Sequence, residues 1–126
     1  MKPLQYTCVC ATLLSCVAST AYAQCEGGLG RGWARGQGNG QFTMSGKDKA
    51  CDTGFGNFYD KADKATPATD VTLTREPKNG KIGIAKTGVI YTPNPGFKGQ
   101  DKFCTRSTAQ SVPGQNLSGC ITVTVN

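Results

Sequence analysis

The chain has 126 residues, 14 of them basic and 8 acidic, with a formal net charge of +6 and no histidine. The lack of histidine excludes the Ser-His-Asp and Cys-His catalytic arrangements and removes the commonest general base. The charged residues are scattered along the chain rather than grouped in blocks, which is typical of a solvated surface.

Residues 1–23 have the pattern of an export signal. Lys2 supplies a positive charge, an apolar stretch follows from Leu4 to Val17, and Ala21-Tyr-Ala23 forms an A-x-A cleavage site. The apolar stretch is too short and too interrupted for a comfortable membrane span. Cleavage after Ala23 would leave residues 24–126, which is the length of one ordinary domain.

A second way of processing this segment remains open. Leu13-Leu-Ser-Cys16 resembles the lipobox of bacterial lipoproteins, which would leave a lipid on Cys16. With either signal we expect a secreted or periplasmic protein that keeps no integral span after cleavage.

Four cysteines lie beyond the signal, namely Cys25, Cys51, Cys104 and Cys120. Four cysteines in an exported chain favour two disulfides. A zinc site would need closely spaced cysteine pairs or histidines, and the residues beyond the signal have neither, so we expect no metal.

The pattern of alternating residues also predicts how the cysteines pair. A hairpin centred near residue 112 places Cys104 opposite Cys120 and Phe103 opposite Ile121. This register puts the cysteine pair on one face of the hairpin and the apolar pair on the other, as strand alternation requires. The two remaining cysteines then pair with each other, and each link contributes about 3 kcal/mol in the chain-entropy model.

Residues 24–40 form a glycine-rich segment that we expect to be a flexible arm, because ordering glycine is entropically costly. Arg31, Trp33 and Arg35 alternate cationic and aromatic side chains there, a combination that can contact nucleic acids or acidic glycans. The alternative is a disordered leader whose Trp33 packs on the domain.

Residues 41–126 have the pattern of a β-domain. Phe42 and Met44 alternate with polar residues in a first short strand. A two-residue hairpin turn is predicted at Lys78-Asn-Gly-Lys81, and a further turn at Thr87-Gly88. Further alternating stretches follow at Val71–Thr74, Lys81–Ala85, Val89–Thr92, Lys102–Ser107 and Ile121–Val125. Strands at this spacing predict an antiparallel β-sandwich of about seven short strands.

The most informative stretch runs from Tyr91 to Phe103, where a strand end, a stiff corner and a new strand follow one another. Pro93 and Pro95 fix their own backbone and disfavour helix in the residues before them. Gly96 and Gly99 supply turn positions.

Side chains of the same stretch predict how the corner is held. Asp101 is placed to accept hydrogen bonds from loop amides, and Tyr91, Phe97 and Phe103 are expected to anchor the corner on a core. This function as anchor and loop cap is a better interpretation of Tyr91 and Asp101 than a catalytic one.

At these residues the chain resembles the bacterial immunoglobulin-like domains, cadherin-like repeats included, of secreted and cell-surface proteins. The pattern of that family appears here as Pro77-Lys-Asn-Gly80, Tyr91-Thr-Pro93, Gly96–Phe103 and Ile121–Val125. The resemblance covers residues 68–126 and implies an immunoglobulin-like β-sandwich in which Tyr91 and Asp101 are structural.

The sequence therefore predicts an exported, non-catalytic interaction or structural module without a cofactor, which binds a protein or polysaccharide of the cell envelope or exterior. The alternative is a binder of anionic polymers that uses the arm, and a small hydrolase ranks last; nucleic acid is the less favoured polymer. Asp60, Asp63 and Asp70 lack the spacing of a calcium loop and are interpreted as surface carboxylates.

Overall fold

A computed structural model describes residues 25–30, 35–45 and 48–126, and residues 35–39 by their backbone alone. In these ranges the chain is all-β, as predicted, and contains ten strands and no helix. The strands are β1 (Glu26–Gly28), β2 (Arg35–Met44), β3 (Cys51–Asp52), β4 (Asn57–Tyr59), β5 (Ala65–Pro67), β6 (Asp70–Arg75), β7 (Gly80–Ile84), β8 (Val89–Pro93), β9 (Gly99–Thr108) and β10 (Leu117–Val125).

The strands form a five-stranded sheet, a three-stranded sheet and a small ribbon. The five-stranded sheet has the order β1-β2-β10-β9-β6, the three-stranded sheet has the order β3-β8-β7, and β4 pairs with β5. The number of strands exceeds the expected seven because β1 and the β4–β5 ribbon are additional short elements. One pair, β2 with β10, is parallel, which departs from the antiparallel prediction. A parallel pair needs a long connection, and here nearly the whole domain lies between the two strands.

The two larger sheets share one hydrophobic core. Buried side chains alternate with partly or fully exposed ones along β9 and β10, so each strand turns one face inward. The ring of Tyr91 on β8 stacks on that of Phe103 on β9, with 6.2 Å between ring centroids, and so joins the two sheets. The buried apolar side chains are Phe42, Met44, Cys51, Phe58, Ala68, Val89, Tyr91, Phe103, Ala109, Leu117, Ile121, Val123 and Val125.

The predicted register of the last hairpin is confirmed. Cys104 lies opposite Cys120 and Phe103 lies opposite Ile121, with the apolar pair buried and the cysteines on the outer face. The inner face of β9 continues with Thr105 and Ser107, which are buried although polar.

The prediction of a hairpin turn at Lys78-Asn-Gly-Lys81 is wrong. β6 pairs with β9 and β7 pairs with β8, so this turn carries the chain from one sheet to the other. The amides of Lys78 and Asn79 donate to Asp101 instead of closing a hairpin. Gly80 also lacks the positive φ that the usual Asn-Gly hairpin turn requires.

The turn predicted at Thr87-Gly88 is confirmed. It joins β7 to β8, and the Ala85 amide donates to the Gly88 carbonyl at 2.9 Å.

Strands reach into the segment expected to be an arm. β1 pairs with residues 41–43 of β2, and β2 itself begins at Arg35. Residue 40 is therefore not a boundary of the sheet, because pairing with β10 orders the backbone despite its glycines. The export signal expected at residues 1–23 lies outside the described residues.

Candidate functional site

The corner between β8 and β9 is a turn closed by its own backbone. The Phe97 amide donates to the Asn94 carbonyl at 3.0 Å, and Gly96 has a φ of 81°, in the region that favours glycine. Pro95 is exposed, whereas Phe97 packs against the core. The Asn94 amide donates to the Asn79 carbonyl at 2.8 Å, which ties this corner to the turn before β7.

The carboxylate of Asp101 joins that turn to β8 and β9. Its Oδ1 accepts the amides of Lys78 and Lys102, both at 3.0 Å. Its Oδ2 accepts the Asn79 amide at 2.9 Å and the Tyr91 hydroxyl at 2.8 Å. Asp101 is 5% exposed and Tyr91 is fully buried, so the hydrogen bond between them is shielded from water, and the three amide hydrogen bonds are partly buried.

These contacts move both ionisation equilibria towards the state that holds the corner together. Burial raises the pKa of Tyr91 above its ordinary value, and the hydrogen bond to Asp101 and the charge of Asp101 raise it further. Burial alone would raise the pKa of Asp101, but hydrogen bonds from Tyr91 and the three amides outweigh it and hold that pKa below its ordinary value. At neutral pH the pair is therefore a carboxylate and a neutral phenol.

Gly80 has a role that the sequence did not reveal, because its place after Asn79 suggested only a turn. A Cβ at Gly80 would lie 2.4 Å from Cε2 of Tyr91 and 2.7 Å from the Thr92 carbonyl oxygen. The absence of a side chain lets the Tyr91 ring lie against the β7 backbone and reach Asp101.

Both predicted disulfides are confirmed. Cys104–Cys120 joins β9 to β10 on the outer face of the five-stranded sheet. Cys25–Cys51 joins the residue before β1 to β3, and so links the five-stranded sheet to the three-stranded one.

The candidate contacts of the glycine-rich segment are not brought into a described site. Arg31 and Trp33 lie outside the described residues, and Arg35 is described by its backbone, which pairs with Ser118 of β10.

Of the acidic residues considered for calcium, Asp60 and Asp63 share one turn, in which the Asp63 amide donates to the Asp60 carbonyl oxygen at 3.0 Å. Asp60 accepts the amides of Ala62 and Lys64 within its own turn, at 2.8 and 2.9 Å. The hydroxyl of Thr69 donates to Asp70 at 3.2 Å. Over the described ranges no three acidic, cysteine or histidine residues group in a way that could hold a metal ion.

The outer side of β7 is an open strand edge. Ala85 and Gly88 exchange hydrogen bonds at the end of the β7–β8 hairpin. Because bonded and non-bonded pairs alternate in an antiparallel ladder, Gly83 is bonded to β8, whereas Ile82 and Ile84 direct their backbone groups away from it. In the part of the chain that the structure describes, β7 pairs with β8 alone, and no other backbone group is bonded to those of Ile82 and Ile84.

The other sheet edges are shorter or irregular. β1 has three residues and β3 has two, and β6 is interrupted by a register shift between Leu73 and Arg75. Such features protect edges from pairing with other chains. β7 is regular over five residues, and its Ile84 is 54% exposed although its register partner Val89 is buried.

Comparison with known proteins assigns the chain to no family. No model of a known protein family matches the chain, and no curated protein or solved structure is significantly similar to it. Over the described residues, no helix has the length and hydropathy that crossing a membrane requires.

Proposed function

We propose that the protein is an exported, non-catalytic interaction module of the cell envelope or exterior, with an immunoglobulin-like fold. Its partner is a protein or a polysaccharide. The observation that carries the proposal is the open edge of β7, which offers unpaired backbone groups beside an exposed isoleucine.

Strand order supports the immunoglobulin-like fold. Such a domain has strands B, E and D together in one sheet and C, F and G in the other. If β3, β6, β7, β8, β9 and β10 are labelled B to G in chain order, the sheets β3-β8-β7 and β10-β9-β6 contain those two sets. The resemblance noted at Tyr91–Phe103 concerns the same E and F strands.

The burial and the hydrogen bonds of Asp101 and Tyr91 support a non-catalytic role. Asp101 and Tyr91 are buried, and both carboxylate oxygens are occupied by donors from the protein itself. A general acid or base must reach a substrate and ionise near the working pH. The shifts in pKa move both groups away from that range.

The two disulfides are consistent with an oxidising, extracytoplasmic location. Together with the export pattern of residues 1–23, they support placing the module in the envelope or outside the cell.

A protein partner would bind by adding a strand to β7. Ile82 and Ile84 offer two donors and two acceptors, and each hydrogen bond contributes about 1 kcal/mol net. Burial of the exposed Ile84 side chain adds about 1–2 kcal/mol. The cost of association offsets much of this, so a reversible complex is expected unless the partner makes further contacts.

The test compares two substitutions at one position. Ile84→Pro removes a donor on the open side without breaking the ladder to β8, and edge strands tolerate proline. Ile84→Thr keeps the donor and the β-branched shape but loses apolar surface. We expect a protein from an envelope extract to bind immobilised wild type and, more weakly, Ile84→Thr, but at least about tenfold less to Ile84→Pro. Equal binding to all three proteins would refute binding at the β7 edge. Capture of no protein by wild type would refute a protein partner.

A further inference from the structure

Four basic residues that are distant in the sequence come together on the outer face of the five-stranded sheet. Lys102 and Arg106 lie two positions to either side of Cys104 on β9, and Arg75 of β6 lies opposite Cys104. Diagonal neighbours in a regular ladder are about 7–8 Å apart, so Arg75 is close to Lys102, while Arg106 lies on the other side of Cys104, beyond the register shift of β6. Lys78 lines the same shallow depression of about 290 Å³ as Arg75 and Lys102. We call Arg75, Lys78, Lys102 and Arg106 the basic face.

The side chains of the basic face form no direct ion pair in the part of the chain that the structure describes. Within the described ranges, none of the four side chains has an ion-pair or hydrogen-bond partner. Three acids lie nearby: Glu76, Asp70, which lines a second depression with Arg106, and the buried Asp101, which lines the first depression and accepts four hydrogen bonds. No two of the four cations are direct register partners, so an anionic group can lie between them and contact more than one.

We propose that the basic face binds an acidic polysaccharide through its carboxylate or sulfate groups. The proposal rests on the proposed role as an exported binding module and names a ligand class and a surface for it. The face is open, which suits a polymer that passes over it. Gln100 and Thr122 line the depression beside the cations and offer hydrogen bonds to sugar hydroxyls.

The composition of this face favours an acidic polysaccharide over nucleic acid. Proteins that bind single strands combine cations with aromatic side chains on which bases stack. The outward positions of β6, β9 and β10 carry threonine, serine, glutamine, cysteine and charged residues but no aromatic residue. Recognition of regularly spaced anionic groups needs no stacking surface.

The experiment measures binding of oxidised protein to polygalacturonate and to dextran sulfate, with neutral dextran and single-stranded DNA as further probes. The test variant is Arg75→Gln/Lys102→Gln/Arg106→Gln. Its matched control, Lys61→Gln/Lys64→Gln/Lys86→Gln, removes the same charge from exposed turns elsewhere. Circular dichroism and non-reducing mass mapping establish that both variants are folded with their disulfides formed.

We expect at least one of the two acidic polysaccharides to bind the wild type more tightly than DNA does, and neutral dextran not to bind. The basic-face variant should weaken binding by about tenfold or more and lower the slope of log K against log salt by about 2–3, and the control should change binding less than about threefold. Equal losses in both variants, tighter binding of DNA, or no binding by wild type would overturn the proposal.

A third variant separates this proposal from the β7 edge. Ile84→Pro lies on the other sheet and should bind the polysaccharide as wild type does. Loss of polysaccharide binding in Ile84→Pro would contradict the location on the basic face, whereas failure of the protein pull-down alone would leave the basic face in place.

Discussion

The substitution Asp101→Asn tests whether the buried carboxylate holds the two sheets together. The change preserves size and removes the charge and one acceptor. In the folded protein an asparagine oxygen can still accept two amides, and its amino group can donate to the Tyr91 hydroxyl. The Asn79 amide, however, would then face a donor instead of Oδ2.

The expected loss follows from these contacts. A donor left without an acceptor costs about 1–3 kcal/mol when buried, and the Asn79 amide is partly buried; the remaining hydrogen bonds also lose the contribution of an ionised acceptor. We therefore expect the free energy of unfolding to fall by about 3 kcal/mol. At an m-value of about 1.5 kcal/mol/M, this shift lowers the urea midpoint by about 2 M.

Urea unfolding of the oxidised protein measures the effect, with Asp63→Asn as the control. Asp63 is exposed and has a φ of 58°, a conformation that asparagine tolerates well, so the control should change stability by less than about 0.5 kcal/mol. A loss below about 1 kcal/mol in Asp101→Asn, or a loss of equal size in the control, would refute the structural role of the carboxylate.

The same pair of proteins should differ in their response to pH. The pKa of Asp101 is lowered by folding, so its ionised form contributes stability above the ordinary aspartate pKa of about 3.9. That contribution is lost as the pH falls below this value and through the lower pKa of the folded state. The difference in stability between wild type and Asp101→Asn should therefore shrink on acidification, and a constant difference would contradict the assignment.

Two further results are expected. Tyrosine ordinarily ionises at a pH of about 10, but Tyr91 should remain a neutral phenol above this pH while the protein is folded. Its phenolate absorbance, obtained as the difference from Tyr91→Phe, should therefore appear only on unfolding. Phenolate absorbance of Tyr91 in the folded protein near pH of about 10 would contradict the hydrogen-bonded geometry. Gly80→Ala should lose about 1–3 kcal/mol in urea unfolding, because its Cβ would clash with the Tyr91 ring and backbone, whereas Gly83→Ala on the same strand meets no atom within 4 Å and should be nearly neutral. Similar losses in the two alanine variants would show that the clash at Gly80 is absent.

Local patterns in the sequence predicted those parts of the fold in which neighbouring segments pair. The β9–β10 register follows from two conditions that must hold together, a cysteine pair on one face and an apolar pair on the other. The β7–β8 turn follows equally from Thr87-Gly88 between two alternating stretches.

Interactions between distant residues explain what the sequence did not reveal. Lys78-Asn-Gly-Lys81 has a strong local hairpin signal, but Asp101 accepts its amides from 22 and 23 residues away and redirects the chain. The parallel pairing of β2 with β10 also joins the two ends of the domain and leaves no mark in either strand.

The basic face likewise depends on interactions between distant residues and was not predicted from the sequence. Its charges are scattered in the sequence, and only the pairing of β6 with β9 brings Arg75 close to Lys102, with Arg106 on the other side of Cys104. The open edge of β7 could likewise not be foreseen, because the predicted hairpin would have paired that strand with β6.

Hydrogen exchange of the β7 amides, resolved by nuclear magnetic resonance, tests the proposed binding edge most directly. In the free protein the amides of Ile82 and Ile84 should exchange rapidly, whereas the Gly83 amide, which is bonded to β8, should exchange slowly. Adding the envelope protein captured by wild type should slow exchange at Ile82 and Ile84 and leave Gly83 slow. Protection of Ile82 and Ile84 already in the free protein, or no change when the partner is bound, would contradict strand addition at β7.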